Sequence, residues 1–402
     1  MMRVSRVDRR SRSRRLPAAV VAVSVCLLLL VAACSSSGTS SSTSSGTSSS
    51  TSDGSSSQAQ GTVPAAVTAQ LAQYENSPTG IGATQTVTKK VPKEKVGFVV
   101  CSDPSCATFA TFWKAIAAEL GWPLVTVNVQ GEDVNSAVQE LVQSGVNYIG
   151  ETGYSVSAFR GAMANAKAAH IPVFECFGED SPEGPADNVY SNCFNTPTYV
   201  LQGQLLADYV IKDSGGKANV LTLNLPAYAV LTTMADSVAA QLKAECPGCT
   251  YGNLNTTPDD LAAGKVPDEV VSYLQDHPSV DYVMSTYSPM ITGLTQALRS
   301  AGLSTKVQVI GSQPVATQIT DIANGTLGPW LNLPREYSLW DEADQMVQLA
   351  AGQWSEKNAV ATAIAPMYFL TTANAKSAEG YSNGWPGPAG FRQAYEKAWG
   401  VS

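Results

Sequence analysis

Histidine is nearly absent. There are two in 402 residues, His170 and His277. Each ends a predicted helix, in Ala168-Ala169-His170-Ile171-Pro172 and Asp276-His277-Pro278. A histidine there caps carbonyls and complements the helix dipole, which leaves little for a histidine triad or metal cluster. The chain has no phosphate-cradling P-loop, and no Gly-x-Gly-x-x-Gly follows a strand, so no cofactor is implied. Gly153-Tyr154-Ser155-Val156-Ser157 looks like a nucleophile elbow without its second glycine, and Ser155 is expected to cap the next helix. Charge is scarce, at 14% of residues. Of 25 Lys and Arg, seven lie in the first fifteen residues, whereas of 33 Asp and Glu only Asp8 does, so the remainder carries −14. Such acidity argues against nucleic acid and against docking on anionic lipid. The missing catalytic parts favour a binder over an enzyme.

What is present begins at the N-terminus. The seven arginines precede an uncharged apolar run, Leu16 to Ala33, ending in Val31-Ala32-Ala33-Cys34. A basic region, an apolar region and small residues before a cut describe a secretory signal. The cysteine directly after makes residues 1–33 resemble a bacterial lipoprotein signal, with Cys34 as the lipidation site. The alternative is an uncleaved membrane anchor, for which about 18 residues is the lower limit. Residues 34–61 are rich in Ser, Thr and Gly and read as a flexible tether. The expected location is the extracytoplasmic face of the cell membrane, held by lipid.

Eight cysteines divide cleanly. Cys26 leaves with the signal and Cys34 takes the lipid. The rest form near pairs, Cys101/Cys106, Cys176/Cys193 and Cys246/Cys249, which outside the cytoplasm read as disulfides. Cys246-Pro247-Gly248-Cys249 also has redox spacing, but it follows a helix rather than opening one. With six cysteines oxidised, no zinc cluster remains.

From Val96 onward, short apolar runs alternate with helical periods. Strands are predicted at Val96–Val100, Leu124–Val129, Tyr148–Ile149, Ile171–Phe177, Val220–Leu223, Tyr282–Ser285 and Val307–Ile310. Between them lie apolar stripes at helical spacing, such as Phe109, Phe112, Trp113, Ile116 and Leu120. Ser338 with Asp341 resembles a capping box opening a late helix. This alternation means βαβ units and parallel sheets buried on both faces, in two doubly wound α/β lobes. Ligands bind beyond the carboxyl ends of such strands, so the cleft between lobes is the expected site.

Several local sequences carry a family resemblance. Val96-Gly97-Phe98-Val99-Val100 followed by Asp103-Pro104, Ile171-Pro172-Val173, Ser288-Pro289-Met290-Ile291-Thr292-Gly293, Val309-Ile310-Gly311 and Tyr395-Glu396-Lys397-Ala398-Trp399-Gly400 occur in order over about 300 residues. Together they resemble the type I periplasmic solute-binding family, the ribose-binding-protein-like receptors of ABC importers. The resemblance implies two lobes joined by a three-crossing hinge, near Phe194–Pro197, Gly311–Pro314 and Asn358–Thr362. It also implies closure around one ligand per monomer and delivery to a membrane permease driven by an ATPase. The expected division is 62–90 as N-terminal helix and connector, 91–194 plus 312–357 as first lobe, 195–311 plus 362–375 as second lobe, and 376–402 as tail. A lipoprotein that feeds a sensor is the alternative, and an exported enzyme the lesser one.

The departures bear on the ligand. Ser288 stands where the family's Asp is expected, Gln313 replaces a later Asp, Phe177 falls near the usual Asp-Arg pair, and Asn332 looks like the family's Gln. Losing carboxylates removes charge-assisted hydrogen bonds, about twice as strong as neutral ones. The ligand is then sugar-like or more apolar and aromatic. Tyr154, Phe177, Tyr228, Tyr287 and Trp330 are expected to build an aromatic pocket. Ser102, Asp103, Ser288, Gln313 and Asn332 would be its polar points. Phe109, Phe112 and Trp113 follow the helical stripe and are expected in the core.

Overall fold

The computed structural model describes residues 62–401, except 83, 102–105 and 362–363. The signal, Cys34, the tether, and the expected site residues Ser102 and Asp103 lie outside the described residues. Among the described residues no helix is long and apolar enough to cross a membrane.

One short helix, α1 (Ala65–Ala72), precedes the first sheet. The first lobe then runs β1 (Val96–Val100), α2 (Cys106–Leu120), β2 (Leu124–Asn128), α3 (Val134–Gln143), β3 (Tyr148–Thr152), α4 (Arg160–Ala168), β4 (Val173–Cys176) and β5 (Val189–Cys193). Its five strands are all parallel, in the order β2-β1-β3-β4-β5. The second lobe holds α5 (Thr196–Asp213), β6 (Asn219–Asn224), α6 (Ala229–Glu245), β7 (Thr250–Asn255), α7 (Pro258–Ala262), α8 (Val266–Asp276), β8 (Tyr282–Ser285), α9 (Leu294–Ser300), β9 (Gln308–Ser312), α10 (Ala316–Ala323) and β10 (Trp330–Asn332). The chain returns to the first lobe as α11 (Arg335–Ala350) and α12 (Glu356–Ala361), pairs β11 (Tyr368–Leu370) into the second sheet, and ends in α13 (Phe391–Trp399). The second sheet, β7-β6-β8-β9-β10-β11, repeats the order of the first and adds β11 antiparallel at its edge. Both are doubly wound, which puts strand carboxyl ends on one side of each lobe.

The elements follow from burial. All five residues of β1 and of β3 are buried, as a strand covered on both faces requires. On one face of the first sheet, Val99, Ile149 and Val173 pack with Val138, Leu141 and Ala166 of α3 and α4. On the other, Phe98 and Phe174 pack with Trp113 of α2 and Met346 of α11. In the second lobe α5 and α6 touch closely at Gly203, where an added Cβ would lie 2.5 Å from the Met234 carbonyl. The late helix does not open with a capping box: it starts at Arg335 after Pro334, and the Ser338 hydroxyl donates to the Arg335 carbonyl at 2.6 Å.

The expected lobe division shifts at one point. The sequence places residues 312–334 in the first lobe, but Ser312 ends β9, and Trp330 and Leu331 pair with Gly311 and Ser312 in the second sheet. The return crossing is therefore at Leu333–Arg335, one strand later than Gly311–Pro314. Two apolar residues in a row, Trp330 and Leu331, are too short a run to announce a strand.

The segment before β1 touches both lobes. Val67 and Leu71 of α1 are buried against the second lobe's α5, and Phe369 of β11 donates its amide to the Tyr74 carbonyl at 2.7 Å. Further on, the Gly82 amide donates to Tyr337 Oη at 2.7 Å and the Thr84 hydroxyl to Asp344 Oδ1 at 2.8 Å, both on α11. The Val87 amide donates to the Ala398 carbonyl of α13 at 2.8 Å.

Three disulfides join the near pairs. Cys176 and Cys193 are register partners on β4 and β5, with Cα atoms 4.5 Å apart. Cys101–Cys106 closes the loop between β1 and α2. Cys246–Cys249 ends α6 on the Pro247-Gly248 turn.

Candidate functional site: the cleft between the lobes

The carboxyl ends of the two sheets face a cleft of about 550 Å³ including its mouth. From the first lobe come Phe109 of α2, Thr152 and Gly153 at the end of β3, Phe177 just after β4, and the Cys101–Cys106 disulfide. From the second come Tyr199 in the first turn of α5, Tyr228 with Val230 and Leu231 at the start of α6, Tyr287 after β8, and Gln313 after β9. Arg335, at the return crossing, completes the wall.

The aromatic side is ordered by packing. Phe109 and Phe177 stack with centroids 5.4 Å apart and planes 24° off parallel. Phe194 meets Phe177 edge-on at 5.3 Å. Tyr228 and Tyr287 lie 6.4 Å apart across the second wall. Phe177, Phe194 and Gln313 all have positive φ, at 64°, 55° and 56°. Such conformations cost about 1–3 kcal/mol each in non-glycine residues and gather at functional sites. Here each follows a strand end and turns a side chain at the cleft or the crossing. Sheet-like hydrogen bonds hold two of them, from Phe177 N to Cys193 O at 2.9 Å and from Gln313 N to Leu331 O at 2.8 Å.

The polar side is one corner. Arg335 Nη2 donates to Ser288 Oγ at 3.1 Å and to the Gln313 carbonyl at 3.2 Å. Burial pushes the Tyr199 phenol up from its usual range, against the opposing pull of a hydrogen bond with Gln313 and the Arg335 charge. Arg335 is one of four arginines beyond the leader, and the only one that is buried.

The expected site residues divide. Phe177, Tyr228, Tyr287 and Gln313 line the cleft together. Ser288 lies just behind, holding Arg335. Tyr154 is half-buried off the wall, packed between the two cores, with its amide donating to Glu151 Oε2 at 3.3 Å. Trp330 is wholly buried in the second lobe, its ring filling the space beside Gly311, where a Cβ would lie 2.9 Å from it. Asn332 is equally buried and donates from Nδ2 to Tyr368 Oη at 2.9 Å. Neither reaches the cleft wall. Ser155 makes no cap bond; the Val156 amide donates instead to Asp180 Oδ2 at 2.8 Å. Phe109, expected in the core, serves both roles. Tyr199, Arg335, Val230 and Leu231 gave no signal of their own, although an arginine directly after Pro334 at a helix start was a visible oddity.

Behind the first-lobe wall sit three buried carboxyls. Glu151 and Glu175 are register partners on β3 and β4, and Glu342 of α11 accepts from Trp113 Nε1 at 2.9 Å. Burial pushes all three well above the usual carboxylate range, with mutual repulsion adding to it for Glu151 and Glu175. Neither oxygen of Glu175 meets a donor. Among the described residues no group of His, Cys, Asp and Glu is arranged to hold a metal ion.

Known proteins share this architecture. A carbohydrate transporter from Acidothermus cellulolyticus 11B, solved with myo-inositol, superposes with a TM-score of 0.61 at 17% identity, over 73% of this chain and 99% of that one. An ABC transporter periplasmic solute-binding protein from Actinobacillus succinogenes 130z, with D-allose, gives 0.61 at 16% identity, over 71% and 100%. The 5-methylthioribose transporter solute-binding protein of Thermotoga lettingae TMO gives 0.58 at 16% identity, over 73% and 91%. These likenesses establish the fold. No curated protein matches the sequence. The family model described as "Periplasmic binding protein domain" matches residues 96–353, from β1 to just past α11, and the chain belongs to that family.

Proposed function

We propose that this protein is the solute-binding receptor of an ABC importer, tethered outside the cell membrane through lipid on Cys34. It captures one small molecule per monomer in the inter-lobe cleft and hands it to a membrane permease powered by a separate ATPase. The observation that carries this reading is the cleft wall. Its residues come from both lobes and from the crossing, so one ligand touching Phe177, Tyr287 and Arg335 holds the lobes closed, as hinge closure requires. The solved relatives titled as transporter or solute-binding proteins support the same reading. So does the scarcity of histidine, two in 402 residues, which leaves few catalytic groups. The apolar and aromatic wall supports a ligand that is sugar-like or more apolar.

Small-angle scattering before and after ligand addition, with a thermal shift, tests the receptor role. Compaction with a higher Tm is expected for at least one compound in a metabolite extract. An unchanged radius and Tm across that extract would sink it. Mass spectrometry of the exported chain tests the anchor: acyl mass on a chain beginning at Cys34 is expected, and an intact residue 1–33 segment would overturn that part.

A further inference from the structure

The polar groups of the cleft are segregated. Tyr199, Ser288, Gln313 and Arg335 form one connected corner at the crossing: Arg335 bonds Ser288 at 3.1 Å and the Gln313 carbonyl at 3.2 Å, and the Gln313 side chain hydrogen-bonds Tyr199. The apolar lining comes from both lobes, as the Phe109–Phe177 stack on one side and Val230 and Leu231 of α6 on the other. Only Thr152 and the hydroxyls of Tyr228 and Tyr287 interrupt it. Among the described lining residues Arg335 carries the only charge, and none is a carboxylate. A free monosaccharide presents hydroxyls around its whole perimeter. A hydroxyl pressed against Phe177, Val230 or Leu231 would lose its water partners and gain none, at a cost of about 1–3 kcal/mol each.

We infer that the ligand is a ring compound polar along one edge only: an aromatic or alkyl-substituted ring whose carboxylate, carbonyl or hydroxyl oxygens lie along that edge. The polar edge meets the corner, where the guanidinium and the Gln313 amide supply donors suited to oxygen acceptors. The ring body lies between Phe177 and the first turn of helix α6 at Val230 and Leu231, where aromatic faces contribute beyond area alone. This inference rests on the receptor reading above and narrows its ligand class.

The test is calorimetric titration of the whole exported chain, freed of retained ligand, with two series. Benzoate, 4-hydroxybenzoate and benzyl alcohol represent rings polar at one edge. D-ribose, D-galactose and myo-inositol represent rings polar all round. The first series is expected to bind at least about tenfold more tightly, a difference of roughly 1.4 kcal/mol. Val230→Thr, which keeps the shape and adds a hydroxyl, is expected to weaken the first series by about threefold to tenfold and to spare the second. Equal or tighter binding of the sugars overturns the inference and leaves the receptor reading standing. Binding of neither series, with no compaction by a metabolite extract, overturns both.

Discussion

Arg335 Nη2 lies 3.1 Å from Ser288 Oγ and 3.2 Å from the main-chain oxygen of Gln313. One guanidinium at the start of α11 thus pins two loops of the second lobe to the crossing. Hydrogen bonds to a charged group contribute about 1.5–3 kcal/mol. Arg335→Lys keeps the charge and loses the planar fork, so affinity for the retained ligand should fall about tenfold by calorimetry. An unchanged Kd would show that the corner serves only the hinge.

Tyr228 and Trp330 should separate binding from stability. Tyr228→Ala is expected to reduce affinity and barely move Tm, because its ring faces the cleft. Trp330→Ala removes a wholly buried ring and should cost about 3–5 kcal/mol of stability. Trp330→Phe, milder, should lower Tm and leave Kd within about twofold. A large loss of affinity in Trp330→Phe at preserved Tm would restore Trp330 to the binding surface.

The Cys176–Cys193 bridge closes a loop of sequence separation 17 between register partners. Replacing both cysteines by serine should cost about 3 kcal/mol by the chain-entropy relation. Reductant should lower the Tm of the parent by more than that of the double variant, which keeps the Cys101–Cys106 and Cys246–Cys249 bridges. Equal Tm for parent and variant would show that the sheet alone holds β4 and β5.

Stability should fall with rising pH on account of the buried acids. Asp344 is pushed up to about 6 by burial, and Glu151, Glu175 and Glu342 stand well above the usual range. The fold favours their neutral forms. Their contribution is complete below the unfolded-state value near 4 and is lost as pH rises through the folded value. For Asp344 that window is roughly pH 4 to 6; for the glutamates it reaches higher. Tm at pH 5 should exceed Tm at pH 8. Glu175→Gln, uncharged at both, should raise Tm at pH 8 and flatten the dependence. A flat profile in the parent would mean these groups ionise in place.

How much of this was legible in the sequence depended on burial. Strand β1 is an unbroken apolar run, and β6 and β8 are announced by the short apolar runs Val220–Leu221 and Tyr282–Met284. β7, Thr-Tyr-Gly-Asn-Leu-Asn, is a polar edge strand with a mostly exposed surface, so its pattern resembled loop. β10 and β11, of three residues each, borrow their stability from neighbours and carry no signal of their own. The aromatic residues after β4, β6 and β8 were readable because strand ends point at the cleft. Tyr199 and Arg335 were not, since they are 136 positions apart in the chain and meet only through the crossing. Trp330 misled for a related reason: a large ring at a strand end looks like a stacking surface unless the glycine that accommodates it, Gly311, is known to be its neighbour.

The family match begins at β1, yet the folded body begins some thirty residues earlier. A chain trimmed to Val96 would strip Tyr337 and Asp344 of the Gly82 and Thr84 donors and uncover the α5 surface that holds Val67 and Leu71. Domain boundaries drawn from family likeness alone would thus cut through a fastening shared by both lobes. A piece that keeps this fastening has to include α1.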